Sequence, residues 1–214
     1  AAETANVKDY TITAAAATAA EGSGFNADNY TITYANGELK VAKRDLTITA
    51  NDASKTYGDT LTFKGTEFTA DNLQNNETIG SVTLTSDGTA ATAGVDDYKI
   101  MAKDATGGTF DAGNYTISYA DTGSLSVAKR ALTITANDAS KIYGDTLAFK
   151  GTEFSADALQ NNETIGSVTL TSDGAAETAN VDDYTITAAA ATAAEDSGFN
   201  ADNYTITYAN GELK

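Results

Sequence analysis

The chain has 214 residues, with 13 basic against 30 acidic side chains and a formal charge of −17. A surface of that sign repels phosphate backbones and anionic headgroups, which all but excludes nucleic acid and disfavours a membrane surface as partner. Without cysteine or histidine there are no disulfides, thiolate metal sites or usual nucleophile-and-base arrangements, and no apolar run approaches the roughly 18 residues of a membrane span.

The first segment, Ala1 to Lys40, returns as Ala175 to Lys214 with only Lys8/Asp182 and Gly22/Asp196 exchanged. The stretch Val41 to Lys55 returns as Val127 to Lys141, 86 residues on. That period exceeds the roughly 20–50 residues of a solenoid unit and is the size of a small domain. The expected organisation is the C-terminal half of one repeat (1–43), a full repeat (44–129) and a second full repeat (130–214). On this reading the chain is a slice of a longer array.

In the full repeat, short Thr-, Ile-, Val- and Tyr-rich segments alternate at period two, which marks half-buried strands. Strands are predicted at Leu46–Ala50, Leu61–Lys64, Ser81–Thr85, Tyr98–Ala102, Tyr115–Tyr119 and Ser124–Val127. Turn clusters such as Ser86-Asp87-Gly88 and Ala112-Gly113-Asn114 separate them. The fold class is mainly β: small antiparallel domains, a β-sandwich or β-grasp-like sheet, joined end to end as an extended rod. Ala70–Gln74, with Thr69 as cap, reads as one helical turn. The alanine-rich Ala14–Ala20 and Ala188–Ala194 read as a loop, because the same place in the middle copy is shorter and contains Gly107-Gly108.

At the seam between repeats the inward face changes parity. Leu39 and Val41 are apolar at odd positions and Leu46 and Ile48 at even ones, so the switch falls at Lys43-Arg44. The two arginines of the chain, Arg44 and Arg130, both stand at a seam, beside Lys43 and Lys129. Two readings follow: a cationic pair clamped by carboxylates of the adjoining acidic bodies, or a solvated pair that guards an edge strand against aggregation.

Chemical sites are weakly supported. Adjacent carboxylates on a strand point to opposite faces, so Asp96-Asp97 and Asp182-Asp183 do not converge as an acid/base couple, and no enzyme is expected. Calcium is the better chemical candidate, with Asp87, Asp96 and Asp97 in one copy and Asp173, Asp182 and Asp183 in the next offering hard oxygen ligands. Lys8 replaces the first aspartate of the pair in the half copy, which argues against an obligatory site. The recurring aromatics Tyr57, Phe63, Phe68, Tyr98, Tyr115 and Tyr119 read as core, their hydroxyls tied to turn backbone, rather than as sugar-stacking rings.

Leu46-Thr47-Ile48-Thr49-Ala50-Asn51-Asp52-Ala53-Ser54-Lys55, then Tyr57-Gly58-Asp59, then the late Asn114-Tyr115 followed by Gly and a closing strand, resembles the MBG domain of YGX type. The resemblance covers Leu46 to Lys129, Leu132 to Lys214 and the half copy, with Tyr143-Gly144-Asp145 and the pairs Asn29-Tyr30 and Asn203-Tyr204 as further matches. It implies tandem repeats of large bacterial surface or secreted adhesins of the filamentous-haemagglutinin kind, hence an extracellular stalk without a chemical site. The expected partners are neighbouring repeats, other copies of the chain, or cell-surface and matrix glycans. The alternatives are a carbohydrate- or calcium-dependent binding module, or a filament assembled by strand complementation of the half copy.

Overall fold

The computed structural model describes residues 4–214, so the first three residues of the half copy lie outside the described residues. In chain order the strands are β1 (Asp9–Ile12), β2 (Gly37–Lys40), β3 (Arg44–Ala50), β4 (Ala53–Thr56), β5 (Phe68–Asp71), β6 (Ser81–Thr85), β7 (Asp97–Thr106), β8 (Tyr115–Ala120), β9 (Gly123–Ala128), β10 (Arg130–Ala136), β11 (Phe154–Ala156), β12 (Ile165–Thr171), β13 (Tyr184–Ala193), β14 (Tyr204–Ala209) and β15 (Gly211–Leu213). Short 3-10 turns complete the regular structure. The fold is mainly β, in several small and mostly antiparallel sheets.

The second repeat shows the plan. β10 runs antiparallel to β11 and parallel to β14, from Arg130 opposite Tyr204 to Thr135 opposite Ala209. A second sheet has the order β12-β13-β15. The first repeat has the orders β5-β3-β8 and β4-β9-β7-β6, again with a parallel pair, β3 on β8, in the same register. In the half copy β1 and β2 form an antiparallel pair.

Contact density separates two compact units whose boundaries fall inside the first full repeat. One comprises 1–49, 68–83 and 102–120; the other comprises 50–67, 84–101 and 121–214. Each seam is thus interior to a unit. In the second unit, β9 passes to β10 through Lys129 alone, and the buried side chains change from Leu125 and Val127 to Leu132 and Ile134, the parity switch expected from the sequence. Leu132, Ile134 and Ala136 of β10 meet Val168, Leu170, Ile186 and Leu213 in one core, and Tyr57 and Val127 of the preceding repeat belong to the same cluster.

Three expectations are corrected. Leu61–Lys64 is not a strand. The Glu67 carboxylate instead accepts the N–H groups of Lys64 (3.1 Å), Gly65 (2.9 Å) and Thr66 (3.0 Å), competing locally with a ladder. Ala70–Gln74 is not helical: Phe68–Asp71 is an edge strand beside β3, and Asn72 at φ 74° then leaves the extended region. Finally, Ala188–Ala193 belongs to β13, because β12 lies alongside to take its backbone groups. Register shifts between Ile165 and Thr169 and the φ of 49° at Ala190 absorb the added length as bulges. Ala14–Ala20, with the same composition, carries no strand. β4, β5 and β11 escaped the sequence reading because each has only three or four residues, too few for a period of two to register.

Ile134, wholly buried at the middle strand of its sheet, sets a reference for the core. Ile134→Ala is expected to cost about 2–5 kcal/mol in urea unfolding, whereas Val181→Ala, at a side chain 89 % exposed, should stay within about 0.5 kcal/mol.

Candidate functional site: the seam between repeats

After β4 the chain closes a tight loop at Tyr57-Gly58-Asp59. Asp59 N donates to Thr56 O at 3.1 Å and Gly58 takes φ 88°, a backbone region that costs a side-chain-bearing residue about 1–2 kcal/mol. Lys55 lies beneath the loop, only 9 % exposed, and donates Nζ to Asp59 O (2.8 Å) and to Ala90 O. Burial holds its pKa below the usual lysine range, partly opposed by the Asp59 carboxylate. Leu61 N donates to Thr89 O at 3.0 Å, which ties the far side of the loop. The loop is therefore stiff before it meets anything else.

What it meets is the next repeat. Asn161 and Asn162 take φ 53° and 61°, and Glu163 N closes on Gln160 O at 2.8 Å, presenting the Glu163 carboxylate. That carboxylate is 6 % exposed and accepts two hydroxyl donors on different oxygens: Tyr57 O–H on Oε1 and Tyr204 O–H on Oε2. One donor comes from each repeat. Hydrogen bonds to an ionised acceptor are roughly twice as strong as neutral ones, and they answer the desolvation that would otherwise make a buried carboxylate costly.

Further contacts enclose this centre. Asn161 Nδ2 donates to the Tyr57 hydroxyl at 3.1 Å and to Ala91 O at 3.2 Å. Val95 N donates to Asn203 Oδ1 at 3.0 Å. Arg130, first residue of β10, donates Nε to Tyr57 O at 2.5 Å and pairs its guanidinium with Asp59. The Tyr57 and Tyr204 rings meet edge to face at 5.5 Å, and Phe199 stacks on Tyr204 at 5.6 Å. Any side chain at Gly58 would place Cβ 2.4 Å from Gln160 Cγ, so the second residue of the motif is small for contact as well as for conformation. Each residue of Tyr57-Gly58-Asp59 thus has its own task in gripping the following repeat. Burial, then the hydrogen bond to Glu163, pushes the Tyr57 hydroxyl pKa up, and the same causes in the same order push up Tyr204.

Of the sequence candidates at the seams, Arg130 pairs with the Asp59 carboxylate. Lys43, Arg44 and Lys129 are exposed. The acidic candidates Asp87, Asp96, Asp97, Asp173, Asp182 and Asp183 are all exposed. Asp96 and Asp182 accept the N–H of the next residue at 2.8 and 2.9 Å. Among the described residues no three acidic side chains converge as a metal site. The aromatic expectation needs one correction. Tyr98, Tyr119 and Tyr208 pack or bond within their own repeat, with Tyr98 O–H donating to Gly94 O. Tyr57 and its counterpart Tyr143 do not: the first is 3 % exposed and the second 65 %. Their burial is decided by the presence of a following repeat.

Glu163 and Asn161 escaped the sequence reading, and Asn203 entered it only as part of the Asn-Tyr match. A signal was available in the unchanged Gln-Asn-Asn-Glu at 74–77 and 160–163, since a polar run repeated without substitution in a loop has a reason beyond solubility. A model of the MBG domain (YGX type) matches residues 46–126 and 132–214. No curated protein and no solved structure matches the chain.

Tyr57→Phe leaves the ring and removes one donor from a buried carboxylate, so it should cost about 1–3 kcal/mol in urea unfolding; Tyr143→Phe should change stability by less than about 0.5 kcal/mol. The raised hydroxyl pKa values give a sign for pH. The folded state favours the neutral tyrosines, so their contribution is complete below the ordinary value of about 10 and is lost as pH rises above it. A thermal melt series from pH 8 upward should show that decline in the wild-type chain and a shallower one in Tyr57→Phe.

Proposed function

Because the chain belongs to the MBG domain (YGX type) family, we propose that its repeats are structural spacers of an extracellular bacterial protein, each locked to the next at the seam and none carrying out a reaction. The observation that carries this reading is the use made of the Tyr-Gly-Asp loop. Tyr57 of that loop is buried against the next repeat, its hydroxyl held by Glu163 and its carbonyl by Arg130, so the ring serves the contact between repeats. Spacers need joints that resist bending, and a joint made of a buried ring, a clamped carboxylate and an ion pair supplies stiffness without proline or disulfide.

The adhesin context, with a functional tip held away from the cell or a matrix fibre built from such arrays, follows from the kind of protein in which these domains are strung together. The strongly acidic surface suits it. A charge of −17 on 214 residues keeps neighbouring arrays soluble and apart. In this reading the exposed aspartates serve solvation.

Two measurements test it. Backbone relaxation should give β4 and β9 the same tumbling time as β10 to β14, and Tyr57→Ala should release the first pair from the second; equal tumbling in the variant would contradict a locked joint. Thermal midpoints in millimolar calcium and in magnesium at equal ionic strength should coincide, whereas a calcium-specific rise would favour the binding-module alternative.

A further inference from the structure

The opening and closing segments of the second repeat lie side by side and run the same way. β10 pairs parallel to β14 from Arg130 opposite Tyr204 to Thr135 opposite Ala209. Past that ladder the match resumes: Ala139 faces Leu213 in a parallel bridge, with Ala139 N donating to Glu212 O at 2.8 Å, Lys214 N to Ala139 O at 3.0 Å and Lys141 N to Lys214 O at 2.8 Å. The partners stay 74 residues apart in both stretches, so a single register joins the two segments.

Two features bridge the gap between these stretches. Glu212 N donates to Asp138 Oδ1 at 2.7 Å, a side chain standing in for a backbone acceptor. Gly211 leaves no room for a side chain: a Cβ there would lie 2.6 Å from Ala136 O and 2.8 Å from Asn137 O, so the closing segment runs directly against the backbone of the opening one. The first repeat repeats the device. β3 on β8 and β4 on β9 are both parallel pairs, Ser124 N donates to Asp52 Oδ1 at 2.9 Å, and a Cβ at Gly123 would lie 2.8 Å from Ala50 O.

Direction matters because of how the chain passes from repeat to repeat. β9 closes the first repeat and continues through Lys129 into β10, so tension along the chain reaches a repeat at the N-terminal end of its first strand and leaves at the C-terminal end of its last. In a parallel pair those two points lie at opposite ends of the ladder. Tension then slides one strand along the other and strains the cross-strand hydrogen bonds together; in an antiparallel pair the two points would be adjacent and the bonds would open one after another. Side chains oppose the slide as well. A slip of one residue would turn Leu132, Ile134 and Ala136 from the core to the outer face.

We propose that the parallel pairing of opening and closing segments is a tension clamp that makes each repeat a load-bearing element, and that Asp52 and Asp138 splint the break in it. The clamp works within a repeat, whereas the Tyr57 contact works between repeats. The proposal rests on the spacer reading, in which a repeat is held at both ends and pulled along the chain.

Single-molecule pulling of the full chain at constant force tests it, since forced unfolding is governed by the unfolding rate. The chain has no cysteine, so thiol handles go only where they are introduced, at the exposed Lys129, Asp202 and Lys214. Lys129→Cys with Lys214→Cys loads the clamp lengthwise; Lys129→Cys with Asp202→Cys loads both strands at the end where Arg130 faces Tyr204. At equal force the second repeat should survive at least ~10-fold longer in the first geometry, because several hydrogen bonds must break together instead of in turn. With the lengthwise handles, Asp138→Ala should shorten that lifetime at least ~3-fold, and Asp138→Asn, which keeps the side-chain oxygen, should restore most of it. Asp138 is exposed, so both variants keep the fold, which far-ultraviolet circular dichroism reads directly. Equal lifetimes in the two geometries, or an Asp138→Ala lifetime equal to that of the parent chain, overturns the proposal. If Tyr57→Ala still frees β4 and β9 in that case, the spacer reading survives and only the tension clamp fails.

Discussion

A carboxylate with two tyrosine donors, one from each side of a seam, is the contact around which the described junction is arranged. Glu163 sits where water is excluded, and an unpaired charge there would be intolerable. Tyr204 of its own repeat supplies one hydroxyl and Tyr57 of the preceding repeat supplies the other. The remaining residues position these two rings. Lys55 and Gly58 shape the loop that carries the first. The parallel register of β10 on β14 places Tyr204 opposite Arg130, which in turn holds the backbone of Tyr57.

The chain carries its own control for that account. The same tripeptide appears at 57–59 and 143–145 with the same backbone, yet only one of the two tyrosines is buried. The same Gln-Asn-Asn-Glu turn appears at 74–77 and 160–163, yet only one of its two glutamates is buried. Conformation is thus a property of each repeat, and burial is a property of adjacency. Repeat arrays commonly add stability through nearest-neighbour interfaces, and here the interface has an identifiable polar centre instead of a purely apolar face.

Much of the fold was legible. β3, β6, β8, β9 and β10 alternate apolar and polar residues at period two, and their inward positions, including the change of parity through Lys129, follow from that alternation alone. The illegible parts were those in which local chemistry or a distant partner prevailed over pattern. Leu61-Thr62-Phe63-Lys64 has a strand's alternation, but Glu67 takes its backbone donors. Ala188–Ala193 has no strand pattern at all, yet β12 makes it one. Thr69 to Gln74 resembles a capped helical turn only as long as β3 is ignored.

The sequence by itself determined the period, the alternation that faces core residues inward, and the loop shapes that need glycine at 58 and 144. Those are short-range properties, set by side-chain size, backbone freedom and spacing of two. Only the tertiary structure decided that Tyr57, Arg130, Glu163 and Asn203 share one site. They are separated by up to 146 residues and meet because a parallel strand pair and two loops carry them to one end of a repeat. No pattern within a repeat can encode whether its Tyr-Gly-Asp loop is buried, since the surface that removes water from that ring belongs to the next one.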